Sequence, residues 1–396
     1  MQERFLNELG SVNRGKSRHR PRDAEFLYGG PYPFIQTADV KHSQLYITSY
    51  SQTYSEKGLA QSKLWPTGTL CITIAANIAD TAILSFPACF PDSVIGFIPD
   101  PEKADVNYIK YLFDAFLKKR YMKFTQGVAQ DNLSQGKLLS IKFPVPNLTI
   151  QKKAASILST YDDLIENNRR RIELLEESAR LLYQEWFVRL RFPGYENTRI
   201  INGVPEGWKI VKLADLSLIN KSNVSNGFKG CIEYIDISSV VCGSITSSTS
   251  MDYSEAPSRA KRKIEHGDII WSCVRPNRKS FAIIWNPSNK TIVSTGFAVI
   301  SPSDLELSPF LYFSLTTQNY VDYLEKVATG VAYPAVKPCD FENSLILFPT
   351  KKLISQFSEI AVPVFEITHN LRTQNQKLAE ARDLLLPRLM SGEIEV

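Results

Sequence analysis

Residues 148–188 read LTIQKKAASILSTYDDLIENNRRRIELLEESARLLYQEWFV. Apolar residues recur at Ile150, Ala154, Ile157, Tyr161 and Leu164, and again at Ile172, Leu175, Ala179, Leu182 and Trp186. Steps of mostly three and four mark one stripe of a helix that faces another helix. The remaining faces carry Lys152, Lys153, Asp162, Asp163, Glu166, Arg169, Arg170, Arg171, Glu173, Glu176 and Glu177. At helical rise this stretch is a rod of roughly 60 Å, too long for the inside of an ordinary domain. Between Leu164 and Ile172 the stripe steps four plus four through Asn168, a stutter that locally unwinds a coiled coil. Asn168 in the seam is expected to fix register at some cost in stability.

A second run of the same type closes the chain, with a seam at Leu353, Phe357, Ile360, Val364, Ile367, Leu371, Leu378, Ala381 and Leu385. At an offset of 203 residues, Leu175, Glu177, Leu181 and Leu182 fall on Leu378, Glu380, Leu384 and Leu385, and Ile157 falls on Ile360. The match extends upstream through Gly127-Val128-Ala129 on Gly330-Val331-Ala332 and Phe143-Pro144 on Phe348-Pro349. Such internal repetition precedes any other reading of fold. Two copies of a period near 200 residues are too few and too long for a solenoid. The fold class is therefore α+β: two mixed α/β bodies separated by two long antiparallel helices, a duplication with pseudo-twofold symmetry. The division expected is 1–147 for the first body, 148–190 for the first spacer helix, 191–350 for the second body and 351–396 for the second spacer helix and tail. The residues expected to pair the helices are Ile157, Tyr161, Leu164, Ile172, Leu175 and Leu182 against Ile360, Val364, Ile367, Leu371, Leu378 and Leu385.

A chain of 396 residues, 43% hydrophobic, has room for two or three ordinary soluble domains. A net charge of +5 is compatible with nucleic acid but weak on its own. The six cysteines form no Cys-x-x-Cys pair and the four histidines are scattered, which argues against a disulfide framework or a metal cluster and for a reducing, cytoplasmic setting. The most apolar stretch, Leu70 to Phe90, contains Asn77, Asp80 and Pro87 and reads as two strands and a turn, not a membrane span. No apolar run follows Met1-Gln2-Glu3-Arg4, so no secretory signal is expected.

In the first body, strands are expected at Pro33–Val40, Gly68–Ile74, Thr81–Phe86 and Ser93–Ile98. An amphipathic helix is expected at Asn107–Lys119, with Ile109, Leu112, Phe113 and Phe116 inward and Lys110, Lys118 and Lys119 outward, then a loop at Phe124–Leu133. In the second, strands are expected at Cys231–Val240, Asp268–Val274, Ser280–Trp285 and Lys290–Ile300, then one or two helices over Pro309–Val327. Pro363 predicts a kink or a fresh helix start, and Pro387 a helix stop. Cations stand out in three places. Arg14, Lys16, Arg18, Arg20 and Arg22 occupy alternate positions, with Ser17 and His19 between them, so an extended segment would set them on one edge. Arg259, Lys261, Arg262 and Lys263 form a second group, and Arg275, Asn277, Arg278 and Lys279 a third, on a turn after a strand. Each is either a solvated surface or a contact to phosphates and bases; Arg suits guanine and Asn suits adenine.

No Gly-x-x-x-x-Gly-Lys-Ser/Thr loop, no Asn/Asp-Pro-Pro-Tyr/Phe stretch, no Gly-x-Gly cofactor turn and no Gly-x-Ser-x-Gly elbow occurs. Pro99-Asp100-Pro101-Glu102-Lys103 is too crowded for a nuclease carboxylate set and reads as a surface loop. A duplicated chain without a catalytic set reads as a binding protein. A coiled-coil scaffold that holds two proteins without DNA, and a self-contained methyltransferase or nuclease, are the alternatives.

The order body, rod, body, rod resembles the specificity subunit of type I restriction-modification enzymes. So do Tyr183-Gln184-Glu185-Trp186-Phe187 with Phe192-Pro193-Gly194, the opening Pro205-Glu206-Gly207-Trp208, and the closing Leu385 to Ile394. The resemblance covers essentially the whole chain, but the first body lacks a Pro-x-Gly-Trp opening like that of the second. It implies that each body is a target-recognition domain reading half of a bipartite, asymmetric site in double-stranded DNA. The rods would hold the bodies apart and dock two modification subunits, with restriction/translocase subunits completing the complex. S-adenosylmethionine, ATP and Mg²⁺ would belong to those subunits and no cofactor or membrane to this chain. Residues of the rods outside the pairing seam, Trp186 and Phe187 among them, would be docking surface or core.

Overall fold

A computed structural model of the chain describes residues 1–75, 78–118, 133–225, 227–330 and 332–396. Most of the loop expected at 124–133, Lys119, the side chain of Lys118 and the Gly127-Val128-Ala129 arm of the repeat lie outside these residues. The chain forms two units: residues 1–168 with 374–396, and residues 169–373.

Unit one is built on a five-stranded sheet ordered Gly10–Arg14, Val94–Pro99, Leu70–Thr73, Thr81–Leu84 and Tyr46–Ile47, antiparallel except for the last pairing. Strand periodicity sends alternate residues to opposite faces. Leu70, Ile72, Ile83, Ile95 and Phe97 pack with Tyr108, Ile109 and Leu112 of the helix Val106–Leu112. Cys71, Ala82, Leu84 and Val94 pack against Trp65 and Phe90 on the other side. Those two rings stack at 4.7 Å, and position 96 must be glycine because a Cβ there would lie 2.6 Å from the Trp65 ring. The strand Gln2–Phe5 pairs with Lys142–Val145, the segment that enters the first long helix.

Unit two repeats the plan. Its sheet runs Ser217–Ile219, Phe297–Pro302, Ile269–Ser272 and Phe281–Ile283, the antiparallel order of the first four strands of unit one. Ile269, Trp271, Phe281, Ile283 and Ile300 face the helices Leu307–Leu315 and Gln318–Val327. A second sheet orders Thr249–Asp252, Cys231–Ile235, Thr291–Ser294 and Ala260–Lys263.

Five local expectations in the bodies fail. Phe116 is exposed, not inward, and the strand expected at 290–300 is two, Thr291–Ser294 and Phe297–Pro302. The strand at 33–40 ends at Phe34, and Thr37–His42 is helical, because Asp39 accepts the Gln36 amide at 2.7 Å and starts a helical turn. The strand from Cys231 ends at Ile235, where Asp236 accepts the Ser238 amide and opens a 3₁₀ turn. Lys110 is buried, not solvated, because Asp114 one turn on pairs with it at 2.5 Å.

The first long helix spans Leu148–Tyr183 and the C-terminal helix Lys351–Ser391. Their halves pair antiparallel within each unit. In unit one Asp162 meets Arg382, and Asn168 donates its amide to Asn375 at 2.9 Å. In unit two Glu176 pairs with Arg372 at 2.6 Å, and Tyr183 and Trp186 meet Phe357. Asn168 thus sits in the seam as expected. The seam itself is displaced from the apolar stripe. Ile157, Leu164, Ile360 and Ile367, expected in the seam, leave 38–48% of their surface in solvent. Tyr161, Leu175, Leu182, Val364, Leu378 and Leu385 are half-buried, and Ile172 and Leu371 are buried. The buried line in the first helix is Gln151, Ala155, Leu158, Asp162, Ile165, Asn168 and Ile172. Its polar members are satisfied: the Gln151 amide bonds Asp105 N, Lys103 O and Pro146 O at 2.9–3.0 Å. A pattern that counts only apolar residues skips such positions. Phe187 and Trp186 belong to the core of unit two. The C-terminal helix runs unbroken through Pro363 and Pro387, so neither a fresh start nor a stop occurs. Pro363 lies on the exposed face, where water can take the carbonyl its ring frees.

His369, on the C-terminal helix in unit two, has its pKa pushed below the ordinary imidazole value by burial, then by Arg372 and His266. The unfolded chain therefore takes up this proton at higher pH than the folded one. Stability of unit two is expected to fall as pH drops through the unfolded value of about 6.5 toward the lower folded value. His369→Gln should flatten that acid limb, which unfolding midpoints at about pH 7.5 and about pH 5 will show.

Candidate nucleic-acid interface

In unit one the strand Gly10–Arg14 ends beside the start of Val94–Pro99, and the basic segment leaves the sheet there. Gly15 donates its amide to Val94 O at 2.8 Å, Lys16 to Phe90 O at 3.1 Å, and a Cβ on Gly15 would lie 2.3 Å from Pro91 O. Gln61 Oε1 accepts the amides of Arg18 and His19 at 2.5 and 3.0 Å. Pinned this way, the segment keeps Gly15 and Ser17 inside and Lys16 and Arg18 outside, although regular strand ends at Arg14. Ser17 Oγ lies 3.4 Å from Tyr54 Oη and offers no hydroxyl to solvent. Arg14 is tied to Asp92 O, Arg22 to the Asp92 carboxylate at 2.9 Å, and Arg20 to Ser17 O and His19 O at 2.7 Å. The His19 ring meets Phe26 edge-on at 5.0 Å. The Lys16 and Arg18 side chains have no partner among the described residues. Gln61 and Asp92 were not foreseen as parts of this surface, because both act across more than 40 residues of sequence.

In unit two the same end of the sheet carries a turn on a different strand, after Ile269–Ser272, the counterpart of Leu70–Thr73. Arg275 and Lys279 both adopt left-handed backbone, φ +51° and +53°, and bracket a 3₁₀ turn over Pro276–Arg278. Two side-chain-bearing residues in that region within five positions is costly and concentrates at functional loops. The Asn277 and Arg278 side chains point to solvent, while Lys279 Nζ donates to Gln318 Oε1 at 2.8 Å. The Arg275 guanidinium lies 4.5 Å from the Tyr333 ring centre. Arg259 is spent on Asp236 at 2.7 Å. Burial acts to raise the Asp236 pKa, but the Ser238 amide and Arg259 outweigh it and hold it low. Lys261 and Lys263 are exposed on the edge strand Ala260–Lys263. Arg262 is half-buried, with its pKa lowered by burial and Nε without a partner. It opposes the burial that raises the Cys273 thiol to about 11. In unit one the sequence between the corresponding strands, 74–80, reads IAANIAD and has no cation. The two units thus present unlike surfaces on a shared frame. Among the described residues, no group of His, Cys, Asp and Glu could hold a metal ion, and no helix is long and apolar enough to cross a membrane.

The family model for the type I restriction modification DNA specificity domain matches residues 1–177. The type I restriction enzyme MjaIX specificity subunit of Methanocaldococcus jannaschii is 27% identical, over 99% of this chain and 93% of that one. Residues 1–177 match that specificity domain, and over its length the chain is similar to type I restriction enzyme specificity subunits. The HindI specificity subunit of Haemophilus influenzae is 24% identical over 64% of this chain and 69% of its own length. The crystal structure of a type I restriction-modification S subunit from M. genitalium shares the fold, with a TM-score of 0.60 at 16% identity over 98% of this chain and 95% of that one. The resemblance of body-rod-body-rod order to specificity subunits therefore holds along the full chain.

Proposed function

We propose that this chain is the sequence-reading subunit of a type I restriction-modification complex and that each unit reads one half of a bipartite, asymmetric duplex site. The observation that carries this is the duplicated sheet: the same four-strand order in both units, with cations leaving the same end of it on unlike loops. A shared frame with unlike readers suits two half-sites of different sequence. Methylation with S-adenosylmethionine, and ATP- and Mg²⁺-dependent translocation and cleavage, would reside in partner subunits, and this chain would itself be non-catalytic. Two modification subunits would seat on the exposed apolar residues of the helices. These recur at equivalent places in the two copies: Ile157 and Ile360, Leu164 and Ile367, Leu181 and Leu384.

Sequencing the methylated bases in cells that carry the chain with its partners tests the reading. A methylated bipartite motif that disappears with the chain supports it, and an unchanged methylome sinks it. Lys16 and Arg18 would contact phosphates. Replacing each by Ala should make the slope of log affinity against log salt shallower by about 0.9 per side chain, equally for all sequences. A salt titration with unchanged slope would remove these two residues from the interface.

A further inference from the structure

Tyr333 stands 69% exposed on a turn that the chain holds unusually firmly. Thr329 and Ala335 exchange both backbone hydrogen bonds at 2.9 Å. Arg275 N donates to Pro334 O at 2.7 Å, and Val336 N donates to Cys273 O at 2.8 Å. Gly330, at φ +99°, supplies the backbone conformation the turn needs. The turn is therefore fastened to the strand end that carries Arg275, and its exposed ring is set against that guanidinium.

The contact fixes more than position. The guanidinium carbon sits 4.5 Å from the ring centre, and one terminal nitrogen reaches Ala332 O at 3.4 Å. A cation held against a ring and to a carbonyl keeps one plane and presents its remaining N–H groups in one direction. A phosphate needs no such plane, since its oxygens accept from many directions. The base edge that needs it is guanine, whose O6 and N7 accept two N–H groups lying in a single plane.

We propose that Tyr333 is a positioning residue for base recognition: it orients the Arg275 guanidinium so that Arg275 reads one guanine in the half-site of unit two. This rests on the proposed DNA-reading role of the chain. Asn277 and Arg278, on the same turn, are left for neighbouring contacts.

The test uses the full chain assembled with its modification partners, after methylome sequencing has given the target. Equilibrium titrations compare the cognate duplex with every single-pair variant. Arg275→Ala and Tyr333→Ala should each lose about 10- to 100-fold discrimination at one G·C pair, the same pair for both, the size expected of a bidentate base contact. Tyr333→Phe should behave as the unaltered chain, because the ring, not the hydroxyl, faces Arg275. Replacing that guanine by 7-deazaguanine should weaken the unaltered complex and leave Arg275→Ala indifferent. Tyr333→Ala that keeps full discrimination at every pair overturns the proposal. So does a uniform loss for all duplexes, or relaxation at different pairs by the two variants. Failure of the unaltered complex to bind any duplex in a salt-dependent way would instead remove the DNA-reading role itself, and this inference with it.

Discussion

Arg382→Ala is expected to destabilise unit one by about 3–5 kcal/mol, because it leaves the Asp162 carboxylate buried without its cation. Asp162 is 3% exposed and is held by Arg382 and by the Tyr111 hydroxyl at 2.5 Å. Beside it lies a second enclosed pair, Lys110 and Asp114, with Thr81 Oγ1 donating to Asp114 at 3.0 Å. Unit two solves the same junction differently. At the repeat offset, Asp162 corresponds to Phe365 and Arg382 to Ala179. Phe365 stacks on Trp285 at 5.4 Å and meets Phe313 at 5.8 Å. An enclosed ion pair and an apolar contact of similar volume are often close in free energy, whereas half an ion pair is not. Transplanting the unit-two solution as Tyr111→Phe, Asp162→Phe and Arg382→Ala together should therefore recover stability to within about 1.5 kcal/mol of the unaltered chain. Hydrogen exchange of amides in 150–168 and 374–391 reads unit one separately from unit two. If Arg382→Ala left those amides as protected as before, the ion pair would carry no such weight. The unlike seams also discriminate register, since a slipped pairing would set Asp162 among rings with no cation to meet it.

That junction shows why part of the architecture was legible from spacing alone and part was not. The long helices, their duplication and the place of Asn168 follow from periodicity, because a helix face repeats whatever covers it. The identity of the seam does not follow, since Gln151, Asp162 and Asn168 are polar and the stripe reading passes over them. Lys110 reads as solvated because it stands on the polar face of its helix, and the cover that buries it with Asp114 comes from the fold. The cations at 14–22 and 275–279 were visible as regular charge on a turn or strand end. Their division into committed and available side chains was not, because Asp92 and Gln61 reach the first group and Gln318 the second across the fold. Tyr333 gave no signal beyond an aromatic next to Pro334, and its meaning comes from the turn that fastens it to Arg275.

The exposed half of the helix stripe leads to the other large effect. Ile157 and Leu164 in unit one, and Ile360 and Ile367 in unit two, are the residues an isolated pair of helices would have buried, yet each stays open at equivalent positions. Leu181 and Leu384 repeat the pattern. If each copy seats one modification subunit, as proposed, Ile157→Asp with Leu164→Asp should remove one subunit, and Ile360→Asp with Ile367→Asp the other. Burying an unpaired carboxylate costs on the order of 3 kcal/mol, so two at one interface should weaken docking by about 1000-fold or more. The substitutions lie outside both cores, so the chain itself should keep its unfolding midpoint within about 0.5 kcal/mol. Native mass measurement of the assembled complex would then count two subunits on the unaltered chain, one on either double variant and none on the fourfold variant. Two subunits on both double variants would mean that these faces are covered by something else. A loss of both subunits from one double variant would mean that the seats are coupled, and that the duplication of the stripe does not divide them.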